Sequence, residues 1–201
     1  MSKAVLISIR PKWCRLIVSG KKTIEVRKTR PKMIAPFKCY IYQTQGKVGT
    51  GLYKHGGVEI MGRDVKNGKV IGEFICDAIY EFSTRVYLGE EQLISDEDIV
   101  ALSCVSRPEL RKYEGYAIGL YGWHISDLKI YDKPKQLSDF YRWSDGLTDI
   151  RPCQNGKPCE NIIYDYTENC EACAIDFDGT DCPYLKVQRP PQSWCYVEEL
   201  T

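Results

Sequence analysis

Histidine is nearly missing from this chain. His55 and His124 are the only two in 201 residues, they lie in separate segments, and neither has the neighbouring third group that a Ser or Cys triad needs. No apolar run approaches the roughly 20 residues of a membrane span. The opening "MSKAVLISIRPKW" has only a short apolar stretch, broken by Ser8 and Arg10, and lacks the form of a secretory signal. The expectation is a cytoplasmic protein with no membrane partner. The glycine-rich "GKVGTGLYKHGG" lacks the order G-x-x-x-x-G-K-[ST], which argues against nucleotide-triphosphate hydrolysis on a phosphate loop. Acid is scarcest at the N-terminal end: residues 1–38 hold eleven Lys and Arg against Glu25 alone, while the rest of the chain holds 17 against 26 Asp and Glu. Such asymmetry suits a local basic surface for nucleic acid or a nucleotide, or else internal pairing between the two ends.

The length allows one main domain with a small appendage. "AVLISIR" alternates as a strand and runs into "PKWCRLIVSG". There Pro11 suits the first helical position, Trp13, Leu16 and Ile17 share a face, and Gly20 stands where a left-handed cap ends a helix. "FKCYIYQT" reads as a further strand, followed by the glycine-rich stretch as a loop. Asn67-Gly68 marks a hairpin before "KVIGEFICDAIYEF", a long apolar strand with Gly72 as a bulge or bend. Residues 89–113 read as two helical pieces broken near Ser106 and Pro108. "YAIGLYGWHISDLKIYD" returns to strand, 133–151 is irregular or helical, and "PPQSWCYVEEL" closes the chain as an aromatic strand. Strands at short intervals predict an α+β, mainly β architecture: a small, mostly antiparallel barrel with decorating helices.

The candidate site lies in "SGKKTIEVRKTRP". Thr23, Glu25 and Arg27 alternate with Ile24 and Val26, so the polar trio shares one face of a strand and the aliphatic pair turns to a core. Lys21 and Lys22 stand at the turn before it. Glu25 can accept from an exocyclic amine or orient Arg27 and Lys22, and Arg27 and Lys22 suit phosphate or carbonyl oxygen. Equally, Glu25 and Arg27 can neutralise each other and fix the barrel mouth. Trp13, Tyr40, Tyr42, Tyr121 and Trp123 are stacking candidates or core residues.

Gly20, Lys22, Glu25 and Arg27 fill the fixed positions of a G-x-K-x-x-E-x-R signature, and the stretch with its surrounding element order resembles the ASCH family, especially members from phages and their bacterial hosts. The resemblance covers roughly residues 3–140 and the closing strand. It implies a PUA-like barrel over 1–150, a Cys-rich acidic insertion over 151–186, and a closing barrel strand over 187–201. It also implies a cleft binding RNA, a nucleotide or nucleoside, or a modified nucleobase, with Lys21, Lys22, Glu25 and Arg27 as ligand-binding residues. The alternative is an amidohydrolase acting on N4-acylated cytidine, because some family members use a Lys, a Thr and a Glu on N4-acetylcytidine. Lys22 matches that lysine, Glu25 stands where the threonine belongs, and Thr23 shares its face, so Lys22, Thr23 and Glu25 are the candidate catalytic set. The further glutamate lies among Glu90, Glu91, Asp96, Glu97 and Glu109. A binding module is the preferred reading, since a carboxylate in the threonine's place breaks the nucleophile pattern.

Ten cysteines fall into two populations. Cys14, Cys39, Cys76, Cys104 and Cys195 sit in predicted strands and helices as small buried groups. Cys153, Cys159, Cys170, Cys173 and Cys182 crowd together, and "CEAC" has the C-x-x-C spacing that lets two thiolates reach one tetrahedral ion. The expectation is structural zinc on Cys159, Cys170, Cys173 and Cys182, with Cys153 as the alternative ligand; free thiols and disulfides stay open.

Overall fold

The computed structural model describes residues 2–45, 53–55, 58–60, 67–85, 94–117, 119–143 and 186–200. β1 (Lys3–Ile9) leads through α1 (Pro11–Val18) to β2 (Ile24–Arg27) and β3 (Phe37–Gln43). Pro11 takes the first helical position, where its missing N–H has no partner to lose. Gly20, at φ +72°, turns the chain out of the helix through the left-handed region.

The glycine-rich stretch is not all loop, because it carries β4 (Tyr53–His55) paired antiparallel with β5 (Val58–Ile60). Asn67 and Gly68 do form a turn. It is not a hairpin turn, since the strand that follows, β6 (Lys69–Cys76), pairs with β3. The Gly68 N–H donates to the Gln43 carbonyl at 2.8 Å, holding the turn against the end of β3.

Two stretches expected as single strands are each divided. Residues 69–82 give β6 and β7 (Ile79–Phe82), and residues 120–135 give β8 (Leu120–His124) and β9 (Ser126–Lys135). The breaks coincide: β6 pairs with β9 in a five-stranded sheet of order β10-β1-β3-β6-β9, and β7 pairs with β8 in a three-stranded sheet of order β2-β8-β7. Two neighbouring strands therefore bend together from one sheet into the other. At the bend His124 Nδ1 meets Asp77 Oδ1 at 2.6 Å. Burial alone would raise the Asp77 carboxyl, but the hydrogen bond and charge of His124 outweigh it and hold the group below its ordinary 3.8.

The expected closed barrel is corrected here. Among the described residues the two sheets are not joined into one ladder, and β1 lies parallel to β3. The link from β2 to β1 is a side-chain one, the Arg27 guanidinium donating to the Ser8 carbonyl at 2.6 Å. Large aromatic side chains, Trp123 among them, fill the space between the sheets. The closing strand β10 (Trp194–Glu198) pairs antiparallel with β1.

α2 (Asp96–Ser103) and α3 (Arg107–Glu114) are the two helical pieces, capped by Ser95 and Ser106, the latter in a reciprocal box with Glu109. They cover the outer face of the three-stranded sheet, where Ile24, Val26, Phe82 and Leu120 meet Ile99 and Leu110. The five-stranded sheet is buried on both faces. Phe37, Cys39 and Ile41 of β3 join one core with Trp123 and Phe74, and Tyr40 and Tyr42 join another with Phe140 and Val197. A fully buried side chain such as Phe74 stabilises by about 3 kcal/mol.

Gly72 sits where the register shifts on both neighbours of β6. A Cβ there would run into the Lys129 carbonyl oxygen, a backbone atom that yields only if β6 and β9 part. Gly72→Ala is expected to destabilise the fold by about 1–3 kcal/mol, read by thermal or urea unfolding.

Candidate functional site

The site begins with the end of α1. Gly20, Lys21 and Lys22 donate their amides back to Ile17 and Leu16 at 2.9, 3.0 and 3.0 Å. That tight reversal sends the Lys22 side chain into the protein, where it is 2% exposed. Its Nζ donates to the Ile24 and Ser103 carbonyls, both at 2.7 Å. It also lies 3.2 Å from Glu25 Oε2. Ser103 is the last residue of α2, so the ammonium meets the negative end of that helix. The ring of Trp13 lies 5.3 Å away. An ammonium has three donors; two go to these carbonyls, and the third direction has charge contact with Glu25 but no aligned hydrogen bond.

Glu25 is 4% exposed and bridges two cations. Its Oε1 lies 3.1 Å from Arg27 Nη1. Its Oε2 has charge contact with Lys22 without an aligned hydrogen bond, so an acceptor direction stays open. Arg27 is held by Glu25 and the Ser8 carbonyl, while its Nε is buried without a partner. Trp123, fully buried and directly opposite Glu25 in the β2–β8 register, likewise has no partner for its Nε1–H. Opposed residues of an antiparallel pair share a face. Two unused donors and one under-used acceptor are therefore gathered on one face of the three-stranded sheet.

The charges do not cancel. Lys22 and Arg27 bring two positive charges against one from Glu25, in a region almost without water. An unbalanced buried charge is expensive, and three backbone carbonyls with the C-terminal end of α2 offset part of it. Around the cluster stand Trp194, whose ring centroid is 5.9 Å from that of Trp123, and the segment before it. The Ser8 hydroxyl donates to the Pro191 carbonyl at 2.7 Å and the Ser8 amide to that of Ser193 at 2.9 Å. Ser8 thus ties Arg27 to the chain that enters β10.

The structure brings Lys22, Glu25 and Arg27 together but not the other candidates. Lys21 is exposed, and its carbonyl accepts from Cys104 Sγ at 3.2 Å. Thr23 is fixed through its backbone to Leu102 and Ile125, and its hydroxyl has no hydrogen bond to a described residue. Glu97 pairs with Arg107 at 2.8 Å, and Glu109 caps α3 and reaches Lys12 at 3.7 Å. Asp96 lies in the first turn of α2, and Glu90 and Glu91 lie outside the described residues. Tyr40 and Tyr42 belong to the core on the far face of the five-stranded sheet.

Cys153, Cys159, Cys170, Cys173 and Cys182 also lie outside the described residues, as does all of 151–185. Among the described residues no three His, Cys, Asp or Glu side chains are grouped to hold a metal. Cys39, Cys76 and Cys104 are free thiols, and Cys14 Sγ donates to the Ile9 carbonyl at 3.5 Å. Burial pushes Cys76 up to about 12 and Cys39 well above its ordinary value, so neither is a nucleophile near neutrality.

Sequence reasoning missed two groups. The Asp77–His124 pair joins residues 47 apart, and only the shared bend unites them. Glu114, fully buried, accepts from the Ser83 hydroxyl at 2.7 Å and from the Thr84 amide and hydroxyl. Burial would raise its carboxyl, but these donors outweigh it and lower it. The signal for Glu114 was its place at the end of an amphipathic helix, on the side of Leu110.

The sequence model of the ASCH domain matches residues 7–116, just over half of the chain. No curated protein matches the chain. Among solved structures, the crystal structure of ASCH from Zymomonas mobilis is 21% identical, with 67% of this chain and 73% of that one covered and a TM-score of 0.45. Two mutant forms of the same Zymomonas mobilis protein give 22% and 23% identity, 68% and 67% of this chain, 77% and 74% of theirs, and TM-scores of 0.41 each.

Replacing Lys22 by methionine would leave Glu25 without one counter-charge and two buried carbonyls without a donor. A loss of about 3–5 kcal/mol is expected, measured by urea unfolding. A loss below about 1 kcal/mol would mean that the ammonium is only loosely held.

Proposed function

The chain belongs to the ASCH domain family, and from that premise we propose that it binds RNA or a nucleotide at the basic surface built on α1 and β2. The carrying observation is the pair of buried, unused donors, Arg27 Nε and Trp123 Nε1, beside a cluster of net positive charge. Acceptor oxygen is what such a face lacks, and phosphates and base carbonyls both supply it. The surroundings support the same partner. Arg10, Lys12, Arg15, Lys21, Lys28, Arg30 and Lys32 are all exposed, whereas Glu25, the one acid within residues 1–38, is buried. Long-range attraction therefore works for an anion, with Glu109 beside Lys12 as a local charge against it.

Glu25 then has a positional role. It holds the Arg27 fork in one orientation and keeps the buried charge at a single surplus rather than two. A lysine in its place would put three cations together.

Binding is favoured over hydrolysis by the state of Lys22. Its Nζ donates to two carbonyls and has charge contact with the Glu25 carboxylate, and the Thr23 hydroxyl is not among its partners, so it is not placed to take that hydroxyl's proton. For the Cys-rich acidic segment we propose structural zinc on Cys159, Cys170, Cys173 and Cys182, with Cys153 as the alternative, on the strength of the C-x-x-C spacing and the few core residues the segment contains.

Fluorescence anisotropy with labelled RNA tests the main reading. Affinity is expected to fall steeply with salt, and Trp123→Phe, which removes one donor and keeps an aromatic ring in the core, to weaken binding about five-fold. Incubation with N4-acetylcytidine is expected to release no cytidine; turnover lost in Glu25→Gln would favour the hydrolase instead. For the metal, elemental analysis of the purified chain is expected to find one zinc per molecule, lost in Cys173→Ser. A chain purified without chelators that carries no zinc would contradict that assignment.

A further inference from the structure

A second group of aromatic and basic side chains lies open at the last turn of α3. Tyr116 is fully exposed and Tyr113 is 40% exposed, so neither ring is used to fill a core. Arg111 and Lys112 are exposed in the same turn. Lys28, just past the end of β2, places its Nζ 5.2 Å from the Tyr113 ring. Beside it, the Arg30 guanidinium lies 5.7 Å from the ring of Tyr121, and Tyr121 is the ladder partner of Arg27. Cation and aromatic pairs therefore continue from the buried cluster, round the end of β2, onto α3.

The balance of charge there is positive. The C-terminal end of a helix carries about −0.5 charge, and Glu114 adds a negative charge beneath, already engaged by Ser83, Thr84 and Arg85. Against these stand Lys28, Arg111 and Lys112, and no described acid forms an ion pair with any of them. The basic groups win. An acidic peptide would satisfy the charges but has little use for two open tyrosine faces. Unpaired bases stack on such faces while their phosphates meet the cations, and a duplex keeps its base faces stacked on one another.

We propose that this turn of α3, together with Lys28, is a platform for single-stranded RNA: Tyr113 and Tyr116 stack unpaired bases, and Lys28, Arg111 and Lys112 take the phosphates. This rests on the RNA-binding reading above and adds to it a preference for unpaired strands.

The test uses the full-length chain, a fluorescein-labelled oligouridylate of about 12 nucleotides, and an RNA duplex of the same length. Tyr113→Ala and Tyr116→Ala are each expected to weaken single-strand binding about five-fold or more, leaving duplex binding and the salt slope unchanged. Tyr116→Trp retains the affinity. Lys112→Ala lowers the slope of log affinity against log salt by about 0.7. Because the substituted side chains are exposed, thermal melts of the variants should match the wild type. Tyrosine variants that bind the single strand as well as wild type, or that lose single strand and duplex alike, overturn the platform while the RNA-binding reading stands. A wild-type chain that binds neither RNA overturns both.

Discussion

The ammonium of Lys22 is the contact on which the site depends. It joins the end of α2, the start of β2 and the Glu25 carboxylate in one buried knot. Glu25 passes the constraint to Arg27, and Arg27 passes it to Ser8 and so to the segment that enters β10. Four elements far apart in sequence are thereby fixed by one short charged chain. Burying it is costly, and part of that cost is met by carbonyl groups rather than by acids. This explains how a surplus positive charge survives in a region with so little water.

The same knot separates two jobs within the motif. Lys22 is spent on structure, while the under-used atoms belong to Arg27, Glu25 and Trp123. Trp123 does not belong to the motif at all. It enters because β8 lies beside β2 in register, placing its indole opposite Glu25. The proposed binding face draws its chemistry from the motif strand and its shape from a distant neighbour.

Much of this was legible in the sequence, and the limits were physical ones. Alternation at Thr23–Arg27 gave the correct face for Ile24 and Val26, because a strand's period is fixed by its geometry. Pro11, Gly20 and Ser106 marked helix ends through local backbone preference, which needs no tertiary partner. The bend at Asp77–Ala78 and Ile125 was not legible, since it follows from two strands leaving one sheet together and each looks continuous alone. Nor was the burial of Glu25 and Lys22. A charged residue in a basic stretch reads as a solvated face until the end of α2 and the Trp13 ring are seen to close over it. Glu114 was hidden for the same reason: its partners Ser83 and Thr84 come from another element.

The central claim is that the buried donors of Arg27 and Trp123 are turned toward a bound ligand. Nuclear magnetic resonance of the side-chain N–H groups tests it most directly, with the Trp123 indole signal assigned by its loss in Trp123→Phe. On titration with RNA, the Trp123 indole and Arg27 Nε–H signals should shift together and become protected from exchange with water. If both stay unmoved while signals elsewhere report binding, the cluster is a structural clamp and the ligand lies at another surface.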